Sequence, residues 1–191
     1  MINGLPAHVL LVHAVVVLIP LTSVLLVLVS VWPAARRRLD VLTASLALIS
    51  LAFVPLTTQA GEWLEQRIPR TPLVRAHTHL GDTMLPWAIG LALLGLVVLV
   101  RQRRANRAGA VSSGEPATVE IRDSGRHHRG GQRARLTTAL VGLVAVVLAA
   151  GSIVTVYRIG DSGARAAWEG QFSQQALPHS TGAPATVGTP H

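Results

Sequence analysis

Four runs of this chain contain no Asp, Glu, Lys or Arg: His8 to Trp32, Val41 to Gly61, Thr83 to Val100 and Leu136 to Tyr157. A helix needs roughly 20 apolar residues to cross a hydrocarbon layer about 30 Å thick, and each run is near that length. A soluble domain of 191 residues has no use for four of them. The runs predict an all-α polytopic membrane protein, an up-down bundle of four transmembrane helices. Lipid is then the solvent for most of its surface.

Local signals place the ends of the spans at about 8–32, 40–61, 80–100 and 136–157. Trp32 suits the interface, and Pro33 should stop the first helix. Asp40 reads as the N-cap of the second. Thr71-Pro72 reads as N-cap and first residue of the third, which should continue through His77, His79 and Asp82 to Val100. Residues 1–170 make one membrane domain. An insert over about 102–134, rich in Arg, Gly and Ser, and a tail over 171–191 have little to bury and are predicted to be disordered. The first span is too long for a secretory signal and lacks a basic n-region and a cleavage site, so it is expected to stay.

The formal charge of +8 comes from 17 arginines without a lysine. An Arg-rich, Lys-free composition suggests a GC-rich bacterial genome, and so a bacterial plasma membrane. The arginines gather at the ends of the apolar runs. Three follow the first span and nine follow the third, against five elsewhere. The positive-inside rule then puts those two loops in the cytoplasm and both termini outside. No nucleic-acid recognition module accompanies the charge, so the lipid bilayer, not nucleic acid, is the expected partner. The absence of cysteine excludes disulfides, thiolate metal sites, iron–sulfur clusters and haem attached through Cys-x-x-Cys-His.

Depth orders the polar residues. Counting about 20 residues outward from the cytoplasmic end of each span brings His8, His13, Gln59, Glu62, His77, His79, Asp82, Tyr157, Arg158 and Asp161 to one level, the outer rim. Ionisable groups at membrane depth commonly mark function, although an interface is also where polar side chains cost least. His8 and His13 are about 140° apart on a helix, and His77 and His79 about 200°, so neither pair shares a face. His79, Asp82 and Thr83 do share one, at i, i+3 and i+4. His13 and His79, on helices running the same way, are the expected primary ligands of a rim site. His8, His77, Glu62 and Asp82 are alternative ligands or partners. One imidazole from each of two helices suits haem b; imidazole with carboxylate suits a divalent metal. Spacing does not choose between them.

Pro20, Pro55 and Pro86 should kink their helices and release the carbonyls of Val16, Leu51 and Asp82. Ala145 and Ala149 form a small-xxx-small pair suited to close helix contact. His127-His128 sits in the basic insert, where a solvated loop is the simpler reading. P-loop, GxSxG and HExxH patterns are absent.

Several segments together resemble a bacterial four-helix membrane family, domain of unknown function 2231. They are Leu5-Pro6-Ala7-His8-Val9-Leu10-Leu11-Val12-His13, Thr57-Thr58-Gln59-Ala60-Gly61-Glu62, His77-x-His79-Leu80-Gly81-Asp82, and the stretch from Val156-Tyr157-Arg158-Ile159-Gly160-Asp161-Ser162-Gly163 to Trp168. The resemblance covers about residues 3–170 apart from the insert. It implies a four-span topology with the motif residues gathered at the outer rim, and no established activity. The family pattern often carries His where this chain has Asp161, which weakens any ligand set needing an imidazole there.

The expectation is an integral membrane protein with an outward-facing His-lined site holding haem b or a divalent metal, in electron transfer. A small transport or channel component using the proline kinks is the second reading. A structural membrane subunit, self-associated or bound to a partner subunit, is the third. An enzyme is least favoured, because no nucleophile with a partnered base is visible.

Overall fold

The structure is a computed structural model that describes residues 7–112 and 124–170. It holds five helices: α1 (Ala7–Val31), α2 (Pro33–Glu65), α3 (Pro72–Asp82), α4 (Met84–Ser112) and α5 (Ser124–Trp168). Among the described residues there is no strand. α1, α2, α4 and α5 each contain a stretch long and apolar enough to cross a membrane. The protein is an all-α four-helix bundle, with α3 set at one end outside the uncharged crossing stretches.

Contacts give a square arrangement. α1 and α4 each pack against both α2 and α5, and meet one another less across the diagonal. Side-chain pairs show that neighbours run antiparallel. On α1 and α2, His8 lies against Thr57 and Thr22 against Ser50. On α4 and α5, Trp87 packs on Gly151, Gly90 faces Leu148, and Arg101 reaches Thr137. A Cβ at Gly151 would overlap the Trp87 ring, so the indole takes the space that any other residue would fill.

Polarity is distributed as lipid demands. Leu143, Leu93 and Val17 point outward and are about three-fifths exposed. Thr22, Ser23, Ser30, Thr43, Ser50 and Ser152 are buried. Ser23 and Ser152 bond across α1 and α5 at 2.9 Å, and Thr22 and Ser50 across α1 and α2 at 3.2 Å. Small hydroxyl residues let helices approach and supply the polar contacts that a lipid environment does not. Ile19, Leu26, Val29, Leu91 and Ala145 fill the space between them.

The boundaries differ from expectation in three places. α2 begins at Pro33, not near Asp40, because the α1–α2 connection is a single residue, Trp32. The Arg36 guanidinium donates to the carbonyls of Val29, at 2.7 Å, and Ser30. It satisfies the open end of α1 from the first turn of α2, so no longer linker is needed. Asp40 is instead buried inside α2, where its carboxylate accepts from the Val41 N–H at 2.8 Å. Secondly, the third predicted helix is interrupted at Thr83. Pro86 offers no N–H to the Asp82 carbonyl four residues back, and the Thr83 N–H turns to Leu80 at 3.1 Å. Pro20 and Pro55 lie within unbroken helices.

Thirdly, α4 runs on to Ser112 and α5 starts at Ser124, so those parts of the basic insert are helical. Extending an existing helix needs no new nucleus, and Gln102 donates to Asn106 one turn on at 2.8 Å. The rest of the insert, 113–123, and the tail, 171–191, lie outside the described residues.

Candidate functional site

The two ends of the bundle differ in chemistry. Arg36, Arg37, Arg38 and Arg101 mark a basic end, and histidines mark the other. The histidine end encloses a cavity of about 620 Å³ between α1, α2, α3 and α5, with mainly apolar walls. That size and character suit a small organic ligand.

His8 reaches it because it continues the buried stripe of α1. Stepping back from Ile19 by three or four residues gives Val15, Val12 and His8, all on the cavity wall. Its Nδ1–H donates to the Thr57 carbonyl on α2 at 3.0 Å. The ring lies against Gly61, where a Cβ would come within 3.0 Å of it.

His77 arrives by the same logic on α3. Val74, His77, Thr78 and Gly81 form one face at i, i+3, i+4 and i+7 and line the cavity. Thr71 caps that helix by accepting from the Val74 N–H at 3.2 Å, with Pro72 next, as the sequence predicts. The Ser162 hydroxyl on α5 donates to the Ile159 carbonyl at 2.8 Å, so its oxygen accepts the Nδ1–H of His77 at 3.0 Å. The ring lies against Gly163, where a Cβ would fall 2.9 Å from it.

The two rings then meet edge to face, with centroids 6.2 Å apart and planes at 77°. In each neutral imidazole Nδ1 carries the hydrogen and Nε2 keeps its lone pair. His77 lies on α3, beyond the uncharged crossing stretch. Burial holds its pKa below the ordinary histidine value, the neighbouring His8 pushes the same way, and the Ile159 carbonyl opposes both.

The other predicted residues sit differently. His13 touches the cavity but is exposed, and its Nδ1–H donates to the Val9 carbonyl of its own helix at 2.6 Å. His79 is exposed on the outer face of α3 and does not line the cavity. His13 and His79 are therefore not brought together as a pair. Glu62 and Asp82 border the cavity with exposed side chains. Asp161 pairs with Arg165 at 3.1 Å on the α5 surface and does not line the cavity. Among the described residues, no three His, Cys, Asp or Glu side chains converge as a metal-binding group.

Thr57, Gly61, Ser162 and Gly163 have no predicted role in the site. The usable signal was positional: Thr57 and Gly61 are one helical turn apart, so both lie on the α2 face that receives His8.

The chain matches no family model, no curated protein and no solved structure.

Proposed function

We propose that this is a multi-pass protein of the bacterial plasma membrane that binds haem b at its histidine end, with His8 and His77 as iron ligands, and serves in electron transfer. One observation carries the reading. Two imidazoles from different helices, each fixed through Nδ1, stand 6.2 Å apart at a mainly apolar cavity of about 620 Å³. An outer hydrogen bond at the second ring nitrogen is what orients a metal-binding histidine.

A divalent ion such as zinc asks for three or four protein donors, and the described residues supply no such group. A macrocycle brings its own four nitrogens, so two imidazoles suffice, and apolar walls suit its faces. Arg75 and Arg158 are exposed near this end and form no ion pair among the described residues, so they add positive charge outside the cavity wall. Bound haem supplies one-electron redox chemistry. The chain's own part is to fix the two rings and to limit the access of water. The arginine balance supports an outward-facing site with both termini outside, and the motif segments support kinship with the domain of unknown function 2231 family.

The test is a visible spectrum and metal analysis of the full-length protein, purified in detergent from cells supplied with a haem precursor. The expected result is a Soret band with stoichiometric iron, lost in His77→Ala and His8→Ala but retained in His79→Ala. Colourless, iron-free protein that takes up no added haem overturns the proposal. A reporter fused after residue 66 should be exported; if it stays in the cytosol, the orientation is wrong.

A further inference from the structure

We infer that a groove at the opposite, basic end binds an anionic phospholipid, with Arg135 on its phosphate and α5 along its acyl chain. The groove has a volume of about 690 Å³ and is lined by Val31 of α1 and by α5, with Arg135 and Thr138 at one end and Ala139, Gly142, Leu143 and Val146 beyond them. It exists for a local reason. α1 ends at Val31 because the chain turns at Trp32 into Pro33. Opposite that end, α5 presents Ala139 and Gly142, and Gly142 has no side chain to occupy the space beside Val31, whose Cγ1 lies 3.4 Å from where its Cβ would be. The outcome is a shallow apolar channel on a lipid-facing surface, where Leu143 is 62% exposed.

Its length and polarity choose the occupant. Arg135 and Val146 are eleven residues apart, about 16 Å along a helix. The groove therefore runs from the level of the headgroups towards the middle of the hydrocarbon layer, as an acyl chain does. It is polar only at the basic end.

The charge there is of one sign. Arg36 is committed to the carbonyls of Val29 and Ser30, and Arg101 to Thr137. Arg37, Arg38 and Arg135 are exposed and form no ion pair among the described residues. The one acidic side chain described at this end, Asp40, is buried. Among the described residues, a phosphate monoanion at the groove mouth meets no opposing carboxylate, and each nearby arginine adds attraction.

The experiment is native mass spectrometry of the full-length protein in mild detergent, titrated separately with phosphatidylglycerol and phosphatidylcholine. Phosphatidylglycerol should be retained roughly fivefold more than phosphatidylcholine, the ratio expected from one arginine at the membrane surface. Arg135→Gln should bring phosphatidylglycerol down to the phosphatidylcholine level, and the exposed Arg103→Gln should leave it unchanged. Ala139→Leu, which fills the groove from an exposed position, should reduce retention of both lipids. Circular dichroism on the same samples confirms that the bundle is intact. Equal retention of the two lipids, an unaffected Arg135→Gln protein, or an equal loss in Arg103→Gln overturns the proposal. So does displacement of phosphatidylglycerol by inorganic phosphate, which would make the site one for the free ion.

Discussion

His8 and His77 stand edge to face, 6.2 Å between centroids, and each is tied through Nδ1 to a helix other than its own. His8 bonds to α2 and His77 to α5, so the pair links α2, α1, α3 and α5 into one closed end. Each ring lies on a glycine of the helix that receives it. The contact is thus a structural clasp whatever it binds, and disturbing either cradle should disturb both.

The glycine cradle at His77 gives the first prediction. Gly163→Ala gains about 1 kcal/mol of helix propensity, but its Cβ falls 2.9 Å from the His77 ring. Such overpacking costs typically about 1–3 kcal/mol, so the net effect should be a loss of roughly 1 kcal/mol. Gly160→Ala, with nothing within 4 Å of its Cβ, should keep the whole propensity gain. Thermal unfolding in detergent should move in opposite directions for the two variants. Equal shifts would mean that Gly163 holds no ring.

Acid should loosen the clasp. The His77 pKa is held below its ordinary value of 6.5, so the unfolded chain takes up that proton more readily than the folded one. Stability from this group is complete above about pH 6.5 and declines as the pH falls towards the folded-state pKa. Unfolding midpoints should therefore drop between roughly pH 7 and 5, and the drop should shrink in His77→Gln. A slope that is the same in His77→Gln would show that His77 is not the group responsible.

Much of this architecture is legible in the sequence. The charge-free runs contain the crossing parts of α1, α2, α4 and α5, and six of their hydroxyls, Thr22, Ser23, Ser30, Thr43, Ser50 and Ser152, are buried. Depth alone brings His8, His13, Glu62, His77 and Asp82 to one level, and all five line the cavity at that end. What depth does not resolve is direction around each helix. Choosing His79 for its neighbours Asp82 and Thr83 weighs polar company, whereas packing weighs apolar company. The buried Val74, one turn before His77, decides which face of α3 meets α5. On α1 the buried stripe running back from Ile19 selects His8 over His13. The start of α2 was hidden because Arg36 completes α1 from across the turn, a tertiary contact that no local rule for helix ends describes.

Two buried hydroxyls supply a stability prediction. Ser23 and Ser50 each donate to a carbonyl one turn back and also meet a hydroxyl on another helix. Ser30 and Thr43 are buried and have no hydrogen-bond partner among the described residues. The pairing of Thr22 with Ser50 sets the α1–α2 register, which puts Ser30 and Thr43 at similar height two turns further on. An unpaired buried hydroxyl costs about 1–3 kcal/mol. Thr43→Val, close in shape, should raise stability by roughly 1 kcal/mol, and Ser23→Ala should lower it by about 0.6 kcal/mol, the mean for such bonds between membrane helices. Chemical denaturation in mixed micelles can rank the two. A Thr43→Val protein less stable than the parent would show that the hydroxyl is engaged.

The last prediction concerns how the site is set. α3 and α4 follow one another with only Thr83 between them, and Thr83 keeps right-handed helical angles, φ −71° and ψ −8°. The interruption is therefore a kink, and its cause is the missing N–H of Pro86. Pro86→Ala restores a donor to the Asp82 carbonyl and removes the ring that crowds it. Proline in a helix interior costs about 3 kcal/mol, less in a first turn, where Pro86 lies in α4. The hydrogen bond from His77 to Ser162 is worth about 1 kcal/mol. The helical gain should exceed the bond, so the rod should straighten and swing α3 away from α5. Hydrogen exchange should then show new protection at residue 86, with faster exchange across the α3 amides as their packing on α5 is lost. The two imidazoles should separate, and any property that needs both should fall as it does in His77→Ala, although each histidine is still present. If residue 86 becomes protected while the His8–His77 contact survives, the kink is incidental and α3 is placed by its packing on α5 alone.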